Sequence, residues 1–225
     1  TCANGSATLH LLYLALLRPG DEVLVPSFTF IATGSMVSAA GGRPVFCDID
    51  PETFLIDLAD AERRITPRTR AIAPVHLFGN VCDVEAVQAL AARHRLRIVW
   101  DAAQAHGGTW RQRDIGGLGD AVSYSFYPSK NMFVGEGGMI TTNHDEFVGP
   151  IEKLRCMNLQ DWENQTDYWI PSHFDVVDVN GRWGNNYRMN EVSAAMGRSQ
   201  LRKLKMLTER RREIGRRISA GIRGI

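Results

Sequence analysis

Lys130 closes the stretch Ser125-Phe-Tyr-Pro-Ser-Lys130 and opens a glycine-rich turn, Asn131-Met-Phe-Val-Gly135-Glu-Gly-Gly138. A lysine just beyond an apolar, strand-like run can be held where its amine meets an aldehyde. Asp101 stands twenty-nine residues upstream, at the end of Ile98-Val-Trp-Asp101. Lysine and acid together suggest a pyridoxal phosphate site, in which the lysine forms a Schiff base and the acid pairs with the pyridinium nitrogen. A carboxylate there favours the protonated ring, a stronger electron sink that eases removal of an α-proton from substrate. Gln104, one turn beyond Asp101, is placed to donate to the ring oxygen. Displaced by a substrate amine, a neutral Lys130 can carry a proton between two carbons, which calls for a lowered pKa.

The phosphate of such a cofactor needs an anion cradle. Gly5-Ser6-Ala7 directly precedes an amphipathic helix pattern, and the free amides and dipole of a helix N-terminus favour an anion. Ser125, near the same strand end as Lys130, is a second hydroxyl for that phosphate. Each residue also has an ordinary reading. Most lysines in such settings are solvated, Ser6 can simply cap its helix, and an aspartate at a strand end can cap the next one. Other chemistries lack their usual signatures. There is no G-x-G-x-x-G, no G-x-x-x-x-G-K-S/T and no G-x-S-x-G. His76, His94 and His106 have no metal-ligand spacing, so no metal is expected. His106 reads as a polar neighbour of the site rather than the base of a hidden triad.

These residues are carried by an alternating pattern. Strands are expected at 22–26, 44–48, 71–77, 97–100, 121–126 and 138–142, and helices at 6–17, 31–40, 57–65, 84–95, 145–157 and 190 to about 220. The strands are short, rich in Val, Ile and Phe, and often apolar on both faces, as in a sheet covered by helices. This order implies an α/β fold with a mostly parallel sheet. Residues 158–185 break the alternation and contain Trp162, Trp169 and Trp183. A loop of that length is usually functional or part of an interface. The last helix holds ten Lys/Arg against two Glu over 198–223, leaving about −7 on the rest of a chain of net charge +1. Without aromatic interleaving, a solvated or interdomain face fits better than nucleic acid. Leu201, Leu204, Leu207, Ile214 and Ile218 follow helical spacing, so one face of it is expected to be buried.

Bulk properties add boundaries. The chain has 225 residues, 44% hydrophobic and 23% charged, ordinary for a globular protein. The small net charge gives no global reason to expect nucleic acid or membrane partners. Four scattered cysteines without a C-x-x-C pair fit a reducing cytosol, hence a cytoplasmic location. No apolar run approaches the length of a membrane span. Both ends read as cuts through a longer protein.

Taken in order, the motifs resemble a known group. They are Gly5-Ser-Ala; Pro19-Gly-Asp-Glu-Val23 with Pro26-Ser-Phe-Thr-Phe30; Pro44-Val-Phe-Cys-Asp48; Pro74-Val-His-Leu-Phe-Gly79; Asp101-Ala-Ala-Gln104; Gly116-Gly-Leu-Gly-Asp120; Ser125-Phe to Lys130-Asn131; Gly135-Glu-Gly-Gly138; and Gly184-Asn-Asn186-Tyr-Arg188-Met-Asn-Glu191. The chain resembles the DegT/DnrJ/EryC1/StrS sugar aminotransferases, fold-type I pyridoxal phosphate enzymes. The resemblance implies a three-layer sandwich, the cofactor-binding large domain over 1–225, with the family's N-terminal segment and C-terminal small domain absent.

The resemblance also implies roles. Lys130 forms the Schiff base, Asp101 pairs with the ring nitrogen and Gln104 contacts the ring hydroxyl. Gly5, Ser6, Ala7 and Ser125 bind the phosphate, Phe30 stacks on the ring, and Asn186 reaches the cofactor of the neighbouring subunit in a homodimer with shared sites. The Trp-rich stretch before Gly184 serves the dimer and sugar pocket. The implied reaction moves an amino group, from L-glutamate, to a keto sugar, usually nucleotide-linked, in polysaccharide or antibiotic sugar biosynthesis; cyclitol ketones are also family substrates. The alternatives are a sugar dehydratase of the same family, whose members replace the lysine with histidine, and a regulatory protein on the same fold. Two local departures stand out: Trp100 replaces a common Glu, and Ser6 a common Thr.

Overall fold

The computed structural model describes residues 1–159 and 176–222. The chain alternates as its pattern implies. Helix α1 (Gly5–Leu16) leads into β1 (Glu22–Pro26), α2 (Ala32–Ala39), β2 (Arg43–Cys47), α3 (Leu58–Arg63) and β3 (Thr69–Ile72). Then come α4 (Val84–His94), β4 (Arg97–Asp101), the short strands β5 (Thr109–Trp110) and β6 (Arg113–Asp114), and β7 (Ala121–Ser125). Strand β8 (Gly138–Thr141), α5 (Asp145–Arg155) and the 32-residue α6 (Glu191–Ile222) complete it.

Six strands form one sheet in the order β2-β1-β3-β4-β7-β8, parallel throughout except for the antiparallel β7–β8 edge. Successive strand residues face opposite sides, and both sides are covered. Val23, Val25, Ala71, Ala73, Val99 and Ala121 pack with α1, α2 and α5. Leu24, Ile72, Ile98, Trp100 and Val122 pack against α3 and α4. These two dry interfaces make a three-layer α/β sandwich, and they explain why the strands read as apolar on both faces.

The sequence reading and the structure differ in three places. Strand β3 ends at Ile72 rather than reaching residue 77, because Pro74 has no N–H to continue the ladder. Beyond it Val75 still bridges to Asp101. The β5–β6 hairpin has no counterpart among the expected strands. The apolar spacing of α6 does not give a buried face: Leu201, Ile214 and Ile218 are exposed, while Leu204 half-buries against Phe126, Met132 and Val134. Of the Trp-rich segment, residues 160–175 with Trp162 and Trp169 lie outside the described residues, and Trp183 is exposed.

Candidate active site

The parallel strands β1, β4 and β7 point their C-terminal ends at one place, where α/β proteins gather ligands. The start of α1 is brought there by the sheet edge. Cys2 exchanges both backbone hydrogen bonds with Gly138, at 2.8 and 2.9 Å, and Gly138 is the register partner of Ser125. A Cβ on Gly138 would lie 2.5 Å from the carbonyl oxygen of Asn4, so only glycine lets residues 2–4 cross β8 this closely. The first turn of α1 is thereby set beside Ser125.

A cavity of about 540 Å³ opens at this junction, within the range for a small ligand. Its wall includes Gly5 and Ser6 from α1, Thr29 and Phe30 from the β1–α2 loop, Asp101 and Gln104 after β4, and Ser123 and Ser125 from β7. Tyr127, Ser129, Lys130 and Glu136 come from the β7–β8 connection. Seven residues singled out in the sequence (Gly5, Ser6, Phe30, Asp101, Gln104, Ser125 and Lys130) therefore meet in one wall.

Ala7 does not join them. It is buried, and its N–H donates to Asn4 Oδ1 at 2.8 Å. Asn4 is thus the N-cap of α1, and the ordinary reading of Ser6 as the cap gives way. Ser6 lines the cavity instead, in the first turn of the helix. Asn186 also stands apart from this wall, exposed, with its Oδ1 accepting from Arg188 Nε at 3.1 Å.

Asp101 is buried at 5% exposure. Burial pushes its carboxyl above the usual carboxylate range, against the N–H of Ala103, the Thr33 hydroxyl and the charge of Lys130, which favour the anion. Ala103 N–H donates to Oδ1 at 3.0 Å and Thr33 Oγ1 to Oδ2 at 2.8 Å. Trp100, next to it on β4, points to the other face of the sheet. Its ring stacks on His76 at 4.8 Å, so this departure from the family pattern is a packing feature remote from Asp101.

Gln104 is oriented by the backbone. Phe78 N–H donates to its Oε1 at 2.8 Å, which fixes the oxygen and leaves the amide group as the donor end. The Lys130 turn is closed by its own N–H on the Tyr127 carbonyl at 2.9 Å. Asn131 Nδ2 then ties it to the Gln104 carbonyl at 3.4 Å. His106 lies beneath, between the rings of Tyr124 and Phe126 at 5.5 and 5.6 Å, with burial pushing its pKa down to about 4. It is outside the cavity wall, as a neighbour of the site rather than its base.

The sequence reading missed Asn4, Thr29, Thr33, Ser123 and Glu136. Thr29 and Thr33 had one faint signal, two hydroxyls four residues apart at the entry to a helix. Nothing local marked Thr33 as a partner of Asp101, sixty-eight residues away.

The donor set suits pyridoxal phosphate: helix-start amides and two serine hydroxyls for the phosphate, a buried acid for a ring cation, an aromatic wall and an amine. Most telling is Asp101, a carboxyl whose ionised form burial disfavours until a cation is set against it.

Comparisons with known proteins show the family and the fold. The chain is 43% identical over 216 residues to GDP-perosamine synthase of Caulobacter vibrioides, covering 95% of this chain and 55% of that protein. It is 42% identical over 214 residues to the "Pleiotropic regulatory protein" of Geobacillus stearothermophilus, covering 94% and 54%. The chain thus spans about half the length of the curated relatives it matches. Among solved structures, the putative sugar aminotransferase Spr1654 of Streptococcus pneumoniae in its PMP form superimposes with a TM-score of 0.90 at 28% identity, covering 99% of this chain and 60% of that one. Its PLP form gives 0.86. The family model for DegT/DnrJ/EryC1/StrS aminotransferases matches residues 1–225, and the chain belongs to the DegT/DnrJ/EryC1/StrS aminotransferase family.

Proposed function

We propose that these residues form the cofactor-binding large domain of a pyridoxal phosphate-dependent aminotransferase, which passes an amino group from an amino-acid donor, L-glutamate, to a keto sugar carried on a nucleotide. The observation that carries this reading is the convergence of Lys130 and the buried Asp101 on one cavity at the start of α1. The names of relatives, GDP-perosamine synthase and UDP-N-acetyl-3-dehydro-α-D-glucosamine 3-aminotransferase, support the substrate class.

When bound, the cofactor supplies an electrophilic carbonyl and an electron-withdrawing ring. The protein's part follows from its own groups. The amides of Gly5 and Ser6 and the hydroxyls of Ser6 and Ser125 hold the phosphate. Asp101 pairs with the ring nitrogen, and its burial makes that charge pair strong. The amide end of Gln104 donates to the ring oxygen, and Phe30 packs on the ring. The Lys130 amine would tether the cofactor, and its free Nζ would take up and return the proton of the substrate's α-carbon. Asn186, exposed and away from the cavity of its own chain, serves the site of a second copy in a homodimer. The cytoplasm is the compartment that goes with this reading; among the described residues no helix is long and apolar enough to cross a membrane.

A regulatory role is the second reading, favoured by the name of one 42% identical relative. The intact lysine and acid argue for chemistry, and Lys130 argues against a family dehydratase. Purified full-length protein with pyridoxal phosphate and glutamate is expected to aminate at least one member of a panel of GDP- and UDP-linked keto sugars, with Lys130→Ala inactive. A cofactor-loaded protein that releases no 2-oxoglutarate with any of them would sink the enzymatic reading.

A further inference from the structure

Two hydroxyls stand in line behind Asp101. Thr33 Oγ1 lies 2.8 Å from Asp101 Oδ2, and Thr29 Oγ1 lies 3.0 Å from Thr33 Oγ1. An ionised carboxylate accepts only, and a hydroxyl has one proton to give. With Asp101 charged, the Thr33 proton is therefore committed to Oδ2, and Thr33 in turn accepts from Thr29. The proton order runs one way, from the cavity wall inward to the acid.

The line is rigid. Thr33 is fully buried in α2, and the Tyr13 hydroxyl donates to its backbone carbonyl at 3.2 Å. Ala103 N–H occupies the other carboxylate oxygen at 3.0 Å, so the two donors fix the plane of the carboxyl. Val25, Ala32, Ala73 and Val99 are buried in the apolar cluster that also takes in residues of α1 and α2. A buried carboxylate leans on the few donors it has.

We propose that Thr33, ordered by Thr29, is a positioning residue that holds Asp101 ionised and aimed at the cavity, and so keeps the proton on the ring nitrogen of the bound cofactor. This rests on the reading of the cavity as a pyridoxal phosphate site. A hydrogen bond to the anion lowers the basicity of the acid. Removing it makes the carboxylate a better competitor for the shared proton, which shifts from the ring nitrogen toward Asp101. Thr33 touches neither cofactor nor substrate, and its effect passes through Asp101 alone.

The test compares full-length wild-type protein with Thr33→Val, Thr33→Ser and Thr29→Val. Two quantities are read: the dissociation constant for pyridoxal phosphate, and the nitrogen chemical shift of isotope-labelled cofactor, which reports protonation of the ring. Thr33→Val is expected to bind about tenfold more weakly, with the ring nitrogen shifted toward its neutral value. Thr33→Ser restores both readings, and Thr29→Val shows the same shift at smaller size. If Thr33→Val fails to fold, the Thr29→Val shift decides. A wild-type nitrogen shift in the folded valine variants overturns the inference even where affinity falls, since lost packing alone would leave the ring proton in place. A wild-type protein that takes up no pyridoxal phosphate overturns the cofactor reading, and this inference with it.

Discussion

Gly5 and Ser125 stand so close that a Cβ on the glycine would fall 2.6 Å from the serine Cβ and 3.0 Å from its Oγ. Real Cβ atoms do not approach another carbon at that distance. Helix start and strand end can therefore pack this closely only because residue 5 is bare.

Gly5→Ala is accordingly expected to push α1 away from β7. The strain should cost on the order of 1–3 kcal/mol, seen as a lower midpoint of thermal unfolding, and pyridoxal phosphate affinity should fall with it. Ser125→Ala, which removes a hydroxyl and adds no bulk, should weaken binding while leaving the unfolding midpoint of the cofactor-free protein near wild type. An unchanged affinity in both variants would remove the phosphate from this corner.

Asp101 predicts a pH dependence of the cofactor-free protein's stability. Its folded pKa is raised, chiefly by burial, so the unfolded chain loses this proton first as pH rises. Without cofactor, stability should fall as pH climbs from the ordinary aspartate range near ~4 toward the folded pKa. Asp101→Asn should flatten that slope and stabilise the cofactor-free protein, yet bind pyridoxal phosphate at least roughly tenfold more weakly. Denaturant titrations at several pH values, with and without cofactor, measure both effects. An asparagine variant less stable than wild type near neutral pH would contradict the account.

His76 and His106 give the acid limb. Burial lowers each pKa to about 4, whereas an unfolded histidine titrates near ~6.5. The unfolded chain binds the extra protons first, so stability is intact above ~6.5 and is lost as pH falls toward about 4. Each ring should cost about 3 kcal/mol at the end of that window. His106→Gln should lessen the slope of stability against pH there, and urea unfolding across the window reads it directly.

Gln104→Glu separates orientation from donation. The Phe78 N–H, held at a left-handed φ of 56°, still finds an acceptor, but the amide donor end is gone. Cofactor affinity should drop about tenfold while the unfolding midpoint of the cofactor-free protein stays within a few degrees of wild type. Equal affinities would show that the amide is not the donor to the ring oxygen.

Much of the fold was legible because a sheet covered on both faces writes its strands as short apolar runs, as in Glu22–Pro26 and Ala121–Ser125. The β5–β6 hairpin was hidden because its turn residues, Arg111 and Gln112, take φ of 45° and 66° without the Asn-Gly or Asp-Gly signal of such turns. Lys130, Asp101, Gln104 and Ser125 were legible because each sits at a strand end or turn with local punctuation. Asn4 was not: Asn4 and Ser6 both suit a helix cap, and sequence alone does not say which begins the turn. The Thr33–Asp101 bond joins residues distant in the chain, and periodicity in α6 identified an apolar stripe without saying what covers it.

We propose that Lys130 carries the cofactor, and borohydride reduction is the decisive measurement. Full-length protein loaded with pyridoxal phosphate, reduced, digested and mapped by mass spectrometry should carry a phosphopyridoxyl group on Lys130. The visible absorbance band should vanish on reduction and be missing from Lys130→Ala. Label on another lysine, or a loaded wild-type protein with no reducible band, would contradict the account.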